Sequence, residues 1–533
     1  ATWIRAAFAE PLEPTLIREA IIAHRLRVME RKLGRPVELH DFQREAAHLG
    51  DRALLLASCG AGKTLAAWNW AQARLTERQA GRVIFLYPTR ATATEGFKDY
   101  GAHVGADLAA LMHGTADYEL EAMQTSPDFP DSGDQYRLDP RLPALAAWHR
   151  RVITATVDTF LPYLQYDYGA LCLLPVLADS VLVLDEVHSY DNAMFLALQA
   201  FLREFDVPTL CMTATLTSRR QSLLAGLGLR VYPESTAQFQ DLHVAAAHPR
   251  YRLLAISGEE AWGFLDRYLG QPGCRRVLWV VNRVARCQEV ARQCRDRFRD
   301  RAITLCYHSR FRLMDRQQRH QELMEVFRGS SQTVIAVTTQ VAQMSLDIDA
   351  DVLITEVAPA PDLIQRMGRC CREPVPPPGR VGTVLVYEPA TPAPYTREEL
   401  QDAWEMVRSL ASEQPVSQLD LAEALQALED RKTWSRGHVP FVDDVTTAAP
   451  SGDFREGEDW TVDAVLDTDL PAVLERRRQK QPVDGYVLPV PFRAARADTR
   501  LDYLRVAPSE RYDPQLGFLD QEVRETRGKA GDA

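Results

Sequence analysis

Asp185-Glu186-Val187-His188 closes the apolar run Ser180 to Leu184, so two carboxylates and an imidazole emerge where the pattern predicts the end of a buried β-strand. Adjacent acids there have little structural use unless a cation or a reacting water needs them, because buried charge demands compensation. Upstream, Ala57-Ser58-Cys59-Gly60-Ala61-Gly62-Lys63-Thr64 follows the strand-like Ala53 to Leu56 and precedes a helical pattern from Leu65 to Trp70. That is the layout of a phosphate-binding loop. Gly60 and Gly62 let the backbone bend so that the N–H groups of Gly60, Ala61 and Gly62 face phosphate oxygens at a helix N-terminus. Lys63 suits the β- and γ-phosphates and the Thr64 hydroxyl a Mg²⁺ site. The pattern departs from the usual one at Ala57, which stands in place of the first glycine and is tolerable if its φ is negative. Together these residues predict hydrolysis of ATP–Mg²⁺, with Asp185 holding the metal and Glu186 orienting and deprotonating the attacking water.

Other polar groups fall at predicted strand ends. Gln43, upstream of the loop, offers an amide able to read both edges of adenine. Thr89 and Arg90 follow the strand Val83 to Tyr87, and Thr156 follows Arg151 to Ala155. These suit the phosphates of a nucleic-acid strand, although such threonines also cap helices. Thr213 and Thr215 are placed to couple the nucleotide pocket to that strand, and His188 to couple it either to the second α/β domain or to the Thr213–Thr215 segment. Further along, Gln340 to Asp349, whose Asp347 joins the nucleotide-binding set, precedes Gln365-Arg366-Met367-Gly368-Arg369-Cys370-Cys371-Arg372. Gln365, Arg369 and Arg372 recur at helical spacing, and planar guanidiniums suit the charge that develops in γ-phosphoryl transfer.

These groups must be carried by alternating strands and helices, and two such series are present. The first spans about 40 to 240. The second has strands at Val277 to Val281, Ile303 to Tyr307, Val334 to Val337, Val352 to Ile354 and Thr383 to Tyr387. Such alternation predicts parallel sheets covered by helices on both faces. The expected organisation is an N-terminal helical extension (1–39), two α/β domains (40–240 and 241–395), and a linker with a C-terminal accessory domain (396–533). An acidic, proline-containing insertion between about 115 and 145 reads as a surface loop.

The 533 residues carry a formal net charge of −11, which predicts weak unaided binding to nucleic acid and a partner that delivers the substrate. Nine cysteines without a C-x-x-C pair read as reduced thiols. No apolar stretch is long enough for a membrane span and the start has no signal-peptide layout, so a soluble, cytoplasmic protein without a membrane partner is expected.

With these residues in hand, the chain resembles superfamily 2 helicases of the DExH type, and more closely the helicase part of the CRISPR-associated nuclease-helicase of type I systems. The resemblance rests on Leu184 to Asp191, on Tyr307-His308-Ser309-Arg310-Phe311 with Asp315-Arg316, and on the block Thr339 to Arg372, running from about 40 to 390. Gln343 stands where that family usually has Glu, and Cys370-Cys371 replaces a more typical apolar-polar pair. The resemblance implies two tandem RecA-like domains and an ATP-driven motor that travels 3′-to-5′ along single-stranded DNA. Thr89, Arg90, Thr156, Asn282 and Thr339 would grip the strand, while Arg369 and Arg372 complete the nucleotide site. It further implies work with a CRISPR surveillance complex. An HD nuclease, commonly fused in that family, is not recognisable here, because His40-Asp41 lacks companion histidines; it is expected on a separate chain or an excised domain. Two alternatives stay open: a DExH helicase acting on RNA, and a non-enzymatic docking module of the surveillance complex.

Overall fold

The computed structural model describes residues 11–58, 60–113, 150–166, 174–190, 192–214, 216–271, 273, 275–329, 332–346, 348–373, 375–377, 379–412, 414–429, 461–479, 481–501 and 504–520. The expected insertion at 115–145, and Cys59, Asp191, Thr215 and Asp347, lie largely or wholly outside them. The chain divides into two compact units, one comprising Ala1–Arg250, Glu373–Pro378 and Val416–Glu456, the other Tyr251–Arg372, Gly379–Pro415 and Gly457–Ala533.

The first unit is built on seven strands: β1 (Arg52–Leu56), β2 (Arg82–Tyr87), β3 (Ala109–Met112), β4 (Val152–Thr156), β5 (Ser180–Leu184), β6 (Thr209–Thr213) and β7 (Arg230–Tyr232). They lie in the order β3-β4-β2-β5-β6-β1-β7, every pair parallel. The runs are largely apolar rather than alternating, because helices cover both faces: every residue of β2, β4, β5 and β6 is buried. One core, around Trp68, Trp70 and Phe85, fills one face, and another, around Leu182, Leu184 and Phe201, the other. The placement that matters is β5-β6-β1. Register pairs Leu56 with Thr213 and Leu184 with Cys211, so the segments leaving three adjacent strands emerge at one edge.

The second unit repeats the plan with β8 (Tyr251–Ala255), β9 (Arg276–Val280), β10 (Ile303–Tyr307), β11 (Val334–Thr338), β12 (Val352–Glu356) and β13 (Gly382–Tyr387). Their order is β10-β11-β9-β12-β13-β8, again all parallel, over a core around Trp279 and Leu385. The same unit carries a four-stranded sheet of β14 (Thr461–Leu466), β15 (Leu488–Pro491), β16 (Arg496–Ala497) and β17 (Arg505–Ala507), in the order β15-β14-β17-β16. A small hairpin follows, β18 (Tyr512–Asp513) and β19 (Gly517–Phe518).

That hairpin sits on the Tyr307–Phe311 segment. The Arg310 N–H donates to His308 Nδ1 (3.1 Å), leaving Nε2 to donate to the Leu516 carbonyl (2.9 Å). The Gln288 amide donates to the carbonyls of Leu516 and Phe518 (both 2.8 Å), and Arg310 pairs with Asp520. Gly517 has φ +71, and a Cβ there would stand 2.7 Å from the Arg310 carbonyl oxygen and 2.8 Å from the His308 ring. The most distinctive sequence mark of the second unit is thus a socket for residues some two hundred positions later. Among the described residues, no helix is long and apolar enough to cross a membrane.

Candidate nucleotide site

Gly60 and Gly62 both adopt φ +85, and Gly62 starts the helix α1 (Lys63–Arg78) from a left-handed conformation that a side chain disfavours. A Cβ on Gly62 would also meet the Gln43 amide nitrogen at 2.3 Å. Ala57 is not among the positive-φ residues, so its methyl group is accommodated; its N–H donates to Thr213 O (3.2 Å) and its carbonyl accepts from Lys63 Nζ (3.1 Å). The loop is thereby tied to the end of β6.

The acid pair lies beside it. Lys63 Nζ is 3.7 Å from Glu186 Oε1, His188 Nδ1 is 3.1 Å from Glu186 Oε2, and the same ring nitrogen is 2.5 Å from Thr213 Oγ1. A chain of polar groups thus runs from Lys63 through Glu186 and His188 to Thr213. Asp185 caps the turn by accepting from the Glu186 N–H (2.8 Å). Glu186 itself holds φ +48, a left-handed conformation that a residue with a long side chain adopts only at a cost, repaid by the contacts it makes.

The electrostatics separate the two carboxyls. Burial, then the neighbouring Glu186 charge, pushes Asp185 well above the usual carboxylate range against the pull of Lys63. Burial works the same way on Glu186, but Lys63 and the His188 hydrogen bond overcome it and hold that carboxyl low. Lys63 alone does not offset what burial and the Glu186 charge do to Asp185. The Asp185 carboxylate and the Thr64 hydroxyl are the hard oxygen donors that a Mg²⁺ ion takes, so the residues fit that ion.

The remaining expected residues fall as follows. Gln43 is buried against the loop, its amide donating to Gly62 O (3.0 Å) and accepting from the His40 N–H (2.9 Å); reading adenine requires exchanging those bonds. Thr89 caps the helix α2 (Arg90–Asp99), bonding with Thr92, and Arg90 is exposed at its start. Buried Thr156 shares a hydrogen bond with Thr159 (2.8 Å). Both threonine hydroxyls are engaged locally, at the edge that carries the nucleotide loop.

In the second unit, Asn282 and Thr339 are buried at the ends of β9 and β11. Asn282 Nδ2 donates to Val357 O (2.9 Å), and its Oδ1 accepts from Arg366 Nη2 (2.9 Å). Fully buried Arg366 also donates to Thr355 Oγ1 (2.9 Å) and the Glu356 carbonyl (3.0 Å). Sequence reasoning passed over Arg366 as the neighbour of Gln365; its location inside an otherwise amphipathic helix was the available signal. Gln365 is buried too, and its Oε1 meets no hydrogen-bond partner among the described residues.

One expectation needs correction. Gln365, Arg369 and Arg372 do not share a helix, because α3 (Ala360–Met367) ends before the latter two. Gly368 closes it, Cys370 forms a bridge with Ala350, and Cys371 takes φ +48, so the chain turns back along the sheet. Arg369 is held by the Gln343 carbonyl (3.1 Å from Nε), and the Arg372 N–H donates to Asp349 Oδ1 (2.8 Å).

Two parallel sheets of this order, the first with a lysine loop and an acid pair on one edge, define a tandem RecA-like fold. Within that class the chain is similar to the helicase part of the CRISPR-associated nuclease/helicases called Cas3. A family model described as CRISPR-associated nuclease/helicase Cas3, C-terminal, matches residues 274–375. A putative CRISPR-associated nuclease/helicase Cas3 of Myxococcus xanthus is 38% identical over 407 residues, 74% of this chain and 52% of that protein. The chain spans about half the length of the curated relatives it matches. The crystal structure of T. fusca Cas3 with ADP superposes with a TM-score of 0.70 at 18% identity, covering 91% of this chain and 69% of that one. A chain of a CRISPR RNA-guided surveillance complex in a pre-nicking state gives a TM-score of 0.59 at 19% identity, covering 91% and 68%.

Proposed function

We propose that this chain is an ATP-dependent motor that travels 3′-to-5′ along single-stranded DNA and unwinds target DNA in type I CRISPR interference. The observation that carries the reading is the continuous set Lys63, Glu186, His188 and Thr213 at one sheet edge. Lys63 holds the terminal phosphates of ATP at the loop N–H groups of Gly60, Ala61 and Gly62. Glu186, kept ionised by Lys63 and His188, accepts the proton of the attacking water. Mg²⁺, when held by Thr64 and Asp185, would neutralise phosphate charge. Arg369 and Arg372 stabilise the charge developing on the transferred phosphoryl group. His188 and Thr213 pass the state of that site to the strand ends, where Thr89, Arg90 and Thr156 take one part of the DNA and Asn282 and Thr339 another.

The likeness to a chain of a surveillance complex supports recruitment by such a complex. The relatives' names join a nuclease to the helicase, and in this reading an HD nuclease supplied elsewhere cuts the strand. The test compares ATP hydrolysis alone, with single-stranded DNA and with RNA of the same sequence. Stimulation by DNA, with unwinding of a duplex bearing a 3′ single-stranded tail, is expected. Stimulation by RNA alone would replace the reading with an RNA helicase. No hydrolysis under any condition would leave a docking module.

A further inference from the structure

We infer that the C-terminal four-stranded sheet carries a second site for unpaired nucleic acid, with Phe492 as its stacking platform. The inference rests on the DNA-motor reading above and extends it to a part of the chain that the nucleotide chemistry does not use.

Phe492 is one of five large apolar side chains exposed among the described residues, 42% accessible, in the turn that leaves β15. It is not merely left over from the core. The Arg505 guanidinium lies over its ring, 3.9 Å from the centroid, so one face is held by a cation while the side chain stays open to solvent. Val490 in β15 is buried and Phe492 begins the 3-10 turn that leaves that strand, while Arg505 opens β17 two residues before buried Ala507. The platform thus joins the turn after β15 to β17 of the same sheet, at the margin of the core containing Val490 and Ala507.

Charge gathers around it. Within a chain of net charge −11, residues 476 to 505 hold eight Lys and Arg against three Asp and Glu. Arg493 and Arg496 are exposed, and β16, which carries Arg496, is the edge strand paired to β17 beside Arg505. Arg500 is instead neutralised by Asp498 through two hydrogen bonds of 2.9 and 2.7 Å, and Arg496 lies in the field of Asp467 and Asp498, so Arg493 and Arg505 carry the positive charge nearest Phe492.

An exposed aromatic ring backed by a guanidinium and flanked by arginines matches a single strand, in which every base offers a π-face and each nucleotide a phosphate. A purely acidic protein surface would use the arginines and leave the ring without a partner. A double helix would engage the phosphates but hide its base faces.

The experiment uses the full chain and a labelled oligothymidylate, with binding followed by anisotropy over a range of salt. The variants are Phe492→Ala, Phe492→Tyr and the double change R493Q/R496Q, all at exposed positions, with circular dichroism checking the fold. Phe492→Ala is expected to weaken binding by about five- to a hundredfold, and Phe492→Tyr to restore it. The double change should reduce the slope of log affinity against log salt by about 1 to 1.5. Hydrolysis of ATP without DNA should stay at the wild-type rate, while the DNA concentration giving half-maximal stimulation rises. Wild-type DNA affinity in all three variants would overturn the site while leaving the motor reading standing. Loss of binding to polyglutamate but not to DNA would overturn it in favour of an acidic partner. A wild-type chain that neither binds DNA nor is stimulated by it would overturn both readings.

Discussion

Glu186 sits in a left-handed backbone conformation, between a lysine at 3.7 Å and a histidine at 3.1 Å, on a turn that also carries Asp185. Each of these contacts favours the ionised carboxylate that a general base requires, and each removes part of the cost of burying it. Lys63→Ala is therefore expected to abolish phosphate release, since it removes both the phosphate contact and the cation that holds Glu186 low; a malachite-green assay on a folded sample checks it. Thr213→Val deletes the hydroxyl at 2.5 Å from His188 while preserving volume. In the proposed coupling role, basal hydrolysis survives within about threefold and stimulation by single-stranded DNA is lost, read as the ratio of the two rates. The loop and the acid pair were legible in the sequence because their chemistry is carried by residues close together in the chain. The partnership of His188 with Thr213, one of the two links the sequence offered, spans 25 positions and is selected by β5 lying next to β6. Arg366 escaped notice for a related reason: burial of a guanidinium inside a polar network follows from β9 and β12 flanking it.

At the scale of elements, strand runs were readable because both faces of each sheet are covered, giving unbroken apolar stretches bounded by turn residues. The edge strands β3 and β7 are short, and the edge strand β8, though five residues long, is half-exposed with alternating burial, so none carried a long unbroken apolar run. The end of α3 was misread because the arginines continue at helical spacing past Gly368, while the backbone leaves the helix to join Ala350. Leaving the helix sets Arg372 on an irregular segment tied by its N–H to Asp349. If Arg372 acts on the transition state, Arg372→Ala lowers the turnover number by about three orders of magnitude with little change in KM. The hairpin on the His308 socket makes a separate prediction. Gly517→Ala combines a left-handed φ with a Cβ too close to the Arg310 backbone, so the second unit should lose about 2–4 kcal/mol, measured by urea unfolding.

For the whole molecule, titration bears on the first unit before the second. Burial, helped by His24, holds His103 down to about 4, and burial, helped by Arg90, holds His113 down to about 3. Unfolded histidines titrate near 6.5, so below that pH the unfolded chain takes up protons that the folded one refuses. The stability these residues confer is complete above about pH 6.5 and is lost as pH falls through about 4 for His103 and about 3 for His113. The thermal midpoint should fall between about pH 7 and 5, and a His113→Gln variant should flatten the fall. The net charge of −11 describes the molecule poorly, because an acidic total hides a basic stretch in the C-terminal sheet. What unites the parts in the proposed account is hydrolysis gated by a single strand and driven by Glu186. The most direct measurement is steady-state ATP hydrolysis by wild-type and Glu186→Gln protein, each with saturating single-stranded DNA, alongside binding of a fluorescent ATP analogue. The expected result is DNA-stimulated turnover in the wild type and its loss by at least about a thousandfold in the variant, with nucleotide binding retained. Turnover at the wild-type rate in a folded Glu186→Gln protein would contradict the account.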